Sequence, residues 1–158
     1  MHSRALLLTS LGVMFCSGCT TEQQTPAAKE PTVDTGSVKA RLEELGARIK
    51  VNEQGQIVEV DLFDTQITDA GLVSLEGLTS LQELNLSHAR ITDAGLVHLK
   101  GLSNLLQLYL DNTQIADTGL VHLEKLTSLQ ELWLSDTQIT NASVAKLKEA
   151  LPNSTIIR

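Results

Sequence analysis

Tyr109 and Trp133 are the single tyrosine and single tryptophan of the chain, and they stand 24 residues apart. Amphipathic rings of this kind concentrate binding energy when they meet a partner. Acids and amides accompany them, with Gln107 and Asp111 beside Tyr109 and Glu131 beside Trp133. The same interval relates Asp64, His88, Asn112 and Asp136, residue types that could ligate a metal or act as an acid–base pair, and it relates His98 to His122. Ser87 and His88 are adjacent. Catalysis requires a nucleophile, a base and an orienting group that converge, whereas neighbours on an extended chain point apart. No enzyme, metal centre or cofactor is therefore expected. The repeated Gly71, Gly95 and Gly119 lack the spacing of a phosphate loop, and fit instead a need for close packing.

The recurring interval is the main fact about this chain. Residues 62–85, 86–109 and 110–133 are near copies of one another, and 134–157 begin as a fourth copy and then diverge. Each unit splits into two parts. In the first, Leu84 and Leu86 fall on one face of an extended segment and Asn85 on the other, with Leu108 and Leu110, then Leu132 and Leu134, repeating the pattern. In the second, Thr68-Asp69 offers an N-cap oxygen and a negative charge to a short helix. Leu72, Leu75 and Leu78 then turn inward, as do Leu96, Leu99, Leu102 and Leu120, Leu123, Leu126. One unit cannot bury its apolar side alone, so successive units must stack.

Stacking turns the strand positions into columns. One column is Asp61, Asn85, Tyr109, Trp133; its neighbours are Glu59, Glu83, Gln107, Glu131 and Phe63, Ser87, Asp111, Ser135. Tyr109 and Trp133 are thus expected side by side and exposed. Two readings of the pair stay open: a contact patch with acidic neighbours, or a cover for the strand surface and the C-terminal segment. The Asp64 column reads as a solvated turn edge, and His98 and His122 as surface side chains.

The unit resembles the leucine-rich-repeat family, L-x-x-L-x-L-x-x-N/C-x-L, over about 100 residues. The variant T-x-I-T-D-A-G-L is similar to repeats common in bacterial envelope proteins. The resemblance implies an α/β fold, a right-handed horseshoe solenoid with a parallel sheet on the concave side and short helices on the convex side. It also implies a protein-interaction module that uses the concave face, with Asp61, Asn85, Glu83, Gln107, Tyr109, Asp111, Glu131 and Trp133 as contact residues. One departure is systematic: the Asn or Cys position holds Thr65, Ala89, Thr113 and Thr137. A threonine hydroxyl can still bond turn backbone; Ala89 cannot.

An open stack would expose apolar ends. Residues 37–47 predict an amphipathic cap helix with Val38, Leu42 and Leu45 inward and Gly46 as terminator. Residues 48–62 predict a hairpin turning at Glu53-Gln54-Gly55-Gln56, whose second strand is the first rung. Residues 155–157 predict a closing strand. Residues 37–56 are accordingly an N-terminal cap and 57–158 the repeats with their C-terminal cap.

The N-terminus reads as an address. Arg4 precedes an apolar run from Ala5 to Phe15, too short to span a bilayer comfortably, and together they form an export signal over 1–18. Ser17, Gly18 and Cys19 resemble a bacterial lipobox, which implies lipidation at Cys19; Cys16 departs from the usual Leu at its first position. An ordinary cleaved signal, giving a secreted or periplasmic protein, is the alternative. Polar residues 19–36, with Pro26 and Pro31, read as a disordered tether.

The net charge of −7 argues against non-specific nucleic-acid binding, which needs a basic surface. It favours a protein partner with basic segments. Competing readings are a structural or self-associating envelope protein, a wall-polymer or carbohydrate binder, and, least supported, an envelope enzyme. The oligomeric state is not legible.

Overall fold

The computed structural model describes residues 34–158. The expected export signal, Cys19 and the tether as far as residue 33 lie outside them. Helix α1 (Thr35–Glu44) opens the described chain. It starts two residues earlier than the heptad-like pattern predicts and takes in Thr35 and Gly36, which the sequence assigned to the tether. It ends at Glu44, three residues short of the predicted limit, with the predicted Gly46 as its terminator. Gly46, at φ 90°, lets the Gly46 N–H reach the Glu43 carbonyl and the Ala47 N–H reach the Leu42 carbonyl, the reciprocal pattern that closes a helix on a left-handed residue. Leu42 is buried, and Val38 and Leu45 pack against the core.

Strands β1 (Arg48–Val51) and β2 (Ile57–Asp61) form the antiparallel hairpin. Its turn is held by the Asn52 carboxamide, whose oxygen accepts the Gln54 and Gln56 N–H groups. From β2 onward all pairing is parallel, through β3 (Glu83–Asn85), β4 (Gln107–Tyr109), β5 (Glu131–Trp133) and β6 (Thr155–Ile157). The register is the one the 24-residue interval demands: Val60, Leu84, Leu108, Leu132 and Ile156 lie in line. Leu81, Leu84, Leu86, Leu105, Leu108, Leu110, Leu132 and Leu134 are fully buried.

The convex side departs from the sequence reading in detail. The first return is α2 (Asp69–Leu72) followed by a 3-10 turn at Val73–Leu75, and the next two are 3-10 throughout, at Gly95–Leu99 and Asp117–His122. All three returns carry leucines spaced by three, the first at Leu72, Leu75 and Leu78. Leu96, Leu99 and Leu102 recur every third residue, which lines them up on a helix of three residues per turn but not of 3.6. In the last unit partly buried Val144 and buried Leu147 and Leu151 step by three and then four, and there a full helix forms, α3 (Asn141–Ala150).

Of the predicted cap Thr68-Asp69 and its copies, Thr140 caps its helix, its hydroxyl accepting the Ser143 N–H at 3.3 Å, while the aspartates of the earlier units do different work. Thr68 makes no side-chain capping bond. Instead the Asp69 carboxylate reaches the next unit, accepting the Thr92 N–H at 2.8 Å and the Thr92 hydroxyl at 2.7 Å. Asp93 takes the Ala116 N–H at 2.7 Å and the Thr118 hydroxyl, and Asp117 takes the Thr140 N–H at 2.7 Å and its hydroxyl at 3.0 Å. The third unit reads A-D-T where the others read T-D-A; the hydroxyl moves by two residues and still finds the same carboxylate. Those bonds hold the Asp117 carboxyl below its ordinary range, chiefly through the Thr140 N–H. In the fourth unit Asn141 stands where the other three have Asp and receives a bond from Arg158.

The threonine position behaves as predicted. The hydroxyls of Thr65, Thr113 and Thr137 donate to the Leu62, Leu110 and Leu134 carbonyls at 2.8, 2.7 and 2.6 Å. Ala89 occupies the same buried place without that bond. Ala89→Thr is expected to donate to the Leu86 carbonyl and raise the unfolding free energy by about 0.5–1.5 kcal/mol. Chemical denaturation reads this directly, and a loss of stability would show that the site has no room for the hydroxyl.

Candidate functional site

The concave face is built from the side chains that alternate with the buried leucines. Asp61, Asn85, Tyr109 and Trp133 align across β2 to β5, and Glu59, Glu83, Gln107 and Glu131 align beside them. Parallel strands are about 4.8 Å apart, so each column is a ladder of touching groups. Tyr109 and Trp133 stack, with ring centroids 5.9 Å apart and planes at 25°. Both rings are half-buried rather than fully exposed, because each covers its neighbour and the adjoining columns. The Trp133 indole N–H is buried and has no hydrogen-bond partner.

The acidic ladder is unevenly compensated. Lys50 reaches across the hairpin to Glu59 at 2.6 Å, a contact that raises the lysine pKa. The Gln107 amide donates to Glu131 at 3.1 Å. Glu83, between them, has no ion pair among the described residues. Burial, then repulsion from Glu59, pushes its carboxyl above the ordinary range. The Tyr109 phenol is raised too, first by burial and then by Glu83 and the other carboxylates of the ladder. Glu59, Glu83, Gln107, Gln82 and Gln130 line an open trough of about 300 Å³.

The sign of the Glu83 shift sets a pH test. A carboxyl that ionises less readily in the folded chain than in the unfolded one weakens the fold once it is charged. Its contribution therefore improves as pH falls through its raised folded value toward the ordinary carboxylate range. Glu83→Gln is expected to melt above the parent at neutral pH, and the difference should shrink as the medium is acidified. A difference that grows on acidification would contradict the assignment.

Three residues expected to make contacts have internal duties. Asp61 and Asn85 accept the Phe63 and Ser87 N–H groups, each at 3.1 Å. Asp111 accepts the Ser135 N–H at 2.7 Å and the Ser87 hydroxyl at 3.4 Å. These bonds fix the loops leaving the strands, where Asp64, His88, Asn112 and Asp136 adopt φ between 51° and 63°. Asp, Asn and His are the non-glycine types that best tolerate this left-handed conformation. The column that could have held a metal is thus a set of turn residues, a role its side-chain types signalled.

Ser87 and His88 take different partners. The serine hydroxyl faces Asp111, whereas His88 Nδ1 lies 2.8 Å from the Asn112 amide and its ring packs edge-on against Phe63. On the convex side His98 pairs with Glu76 at 2.6 Å. Among the described residues no three His, Cys, Asp or Glu side chains are grouped to hold a metal ion, and no helix is long and apolar enough to cross a membrane.

Comparison with known proteins agrees with this architecture. Residues 57–75 match a family model described as a leucine-rich repeat, and residues 79–122 match one described as two copies of leucine-rich repeats. No curated protein matches the chain. Among solved structures, the chain is similar to leiomodin-1 actin-binding site 2, with 20% identity, a TM-score of 0.52, and 80% of this chain and 77% of that one covered. It also resembles an internalin of Listeria monocytogenes, at 24% identity and a TM-score of 0.41 over 58% of this chain and 32% of that one. A leucine-rich-repeat protein of Leptospira interrogans matches at 24% identity and a TM-score of 0.41, over 54% of this chain and 27% of that one.

Proposed function

We propose, from a chain that carries leucine-rich repeats and folds as their solenoid, that it is an exported interaction module whose concave face binds a protein partner with basic segments. The observation that carries this reading is the stacked Tyr109–Trp133 pair set beside Glu83 and Glu131. Stacked rings give a partner a rigid apolar footing at little entropic cost. A lysine or arginine above them gains attraction from the rings and from the carboxylates, of which Glu83 has no ion pair among the described residues.

Export and anchoring rest on the N-terminal residues. Arg4, the apolar run Ala5 to Phe15, and Ser17-Gly18-Cys19 support lipidation at Cys19, after which acyl chains hold the protein on a membrane.

The test is capture of a partner from envelope extract by the parent chain and by the Tyr109→Ala/Trp133→Ala double variant. The double variant is expected to lose at least about tenfold in binding, the scale of two hot-spot residues, with its circular dichroism unchanged. Equal capture by both chains would place recognition elsewhere. Mass-action assembly of the parent chain without a partner would favour a self-associating structural role.

A further inference from the structure

The lateral edge of the solenoid carries a repeated device, a carboxylate of one unit bound by the next. Asp69, Asp93 and Asp117 each accept the backbone N–H of the residue 23 positions ahead, at Thr92, Ala116 and Thr140. Each also accepts a hydroxyl of that unit, from Thr92, Thr118 or Thr140. The corresponding donors of the first unit are the N–H and hydroxyl of Thr68. Its preceding element is the cap helix α1, which offers Leu45 and no aspartate at that place. Gly95 and Gly119 have an Asp oxygen as nearest neighbour to a would-be Cβ, whereas Gly71 has Ile67 and Leu45. Among the described residues neither Thr68 donor has a hydrogen-bond partner.

This unfilled position opens into a cavity of about 350 Å³ between α1 and the first unit. Arg41, Glu44, Gln66, Thr68 and Ser74 contribute its polar lining. Ser74 is 92% buried, with 8% of its surface exposed, and its hydroxyl has no partner. Arg41 has no ion pair among the described residues. Arg90, the bridge partner of Thr68, is the one basic residue in a column otherwise made of Gln66, Gln114 and Gln138. Arg41 thus supplies the one cation of the niche lining that lacks its aspartate, and Glu44 is the one acid of that lining.

We infer that the first-unit niche binds a carboxylate brought by another molecule, with the Thr68 N–H and hydroxyl donating to it as Thr92 and Thr140 donate to Asp69 and Asp117, and with Arg41 supplying charge. The chain supplies its own precedent for the ligand chemistry three times over. The carboxylate is either an acidic side chain or a chain terminus of a peptide. The niche lies on the lateral edge and does not depend on the concave-face reading.

The test is an amide NMR titration of the full chain with three blocked tripeptides: N-acetyl-Ala-Asp-Ala-amide, N-acetyl-Ala-Asn-Ala-amide, and N-acetyl-Ala-Asn-Ala with a free terminal carboxylate. A saturable shift of the Thr68 amide is expected with a carboxylate-bearing peptide and none with the neutral one. The Thr92, Ala116 and Thr140 amides, whose niches are filled, are expected to stay still. A response to the first peptide assigns an acidic side chain as ligand, and a response to the third alone assigns a chain terminus. Thr68→Val and Arg41→Gln are each expected to raise the half-saturating concentration about tenfold, the scale of one bond to a charged group, and Glu44→Gln to lower it. Thr68 makes no capping bond, so its replacement leaves the fold intact, as the remaining amide positions would report. A Thr68 amide unmoved by both carboxylates, an equal response to the neutral peptide, or unchanged binding by both weakened variants would overturn the inference.

Discussion

Replacing Leu108 by Ala is expected to cost about 2–5 kcal/mol of unfolding free energy, the range for deleting a buried leucine whose surroundings relax only in part. Leu108 is fully buried and stands in the middle of the sheet, between Leu84 and Leu132. A solenoid is stabilised by its units and by the contacts between nearest neighbours. The cavity would therefore weaken two interfaces at once, and no alternative core exists to take up the loss. Urea titration followed by circular dichroism reads the change as a lower midpoint. Parent-like stability would mean that the leucines at this rung do not hold the units together.

The second large effect concerns the edge that joins the units. A methyl group added at Gly119 would stand 2.5 Å from Asp93 Oδ1 and 2.9 Å from Leu96 Cδ1. Gly119→Ala is expected to cost about 1–3 kcal/mol, as over-packing does. Asp93→Ala removes the acceptor of the Ala116 N–H and the Thr118 hydroxyl and should cost about 2 kcal/mol. Because the glycine leaves room for that same carboxylate, the two losses are not independent. The double variant should be more stable than the sum of the single losses predicts, by at least about 0.5 kcal/mol. The Leu96 contact keeps the coupling from cancelling the glycine cost. Strict additivity would show that Asp93 and Gly119 are not a matched pair.

The same residues show what the sequence alone could reveal. The period of 24 established the strand columns, the parallel register and the buried leucines, because apolar side chains repeating at that interval can be shielded only by stacking. Gly46 and the Asn52–Gln56 turn were readable from local backbone chemistry. The carboxylate edge was not read, since Thr68-Asp69 looks like a helix cap when one unit is considered alone. The distinguishing signals were present: the exchange of threonine and alanine around Asp117, and the aspartate-to-asparagine change at Asn141 in the last unit.

At the concave face the columns were legible and the duties of individual residues were not. Nothing in the pattern separates Glu83, which has no ion pair among the described residues, from Glu59, which Lys50 pairs across the hairpin. Nor does it show that Asp61, Asn85 and Asp111 hold their own loops. Those facts depend on which groups come together in space once the hairpin and the loops are formed. Contact strength at this face is accordingly expected to concentrate on Tyr109, Trp133, Glu83 and Glu131, with the other three residues contributing through shape.

Trp133 is the chain's single tryptophan, so its emission reports on the proposed contact surface without labelling. The decisive measurement is a fluorescence titration of the full chain with a captured partner, at low and at raised salt. Engagement of the concave face predicts a saturable change in Trp133 emission whose half-point moves to higher partner concentration as salt increases. A partner that binds while the emission of Trp133 stays constant would contradict recognition through the stacked pair.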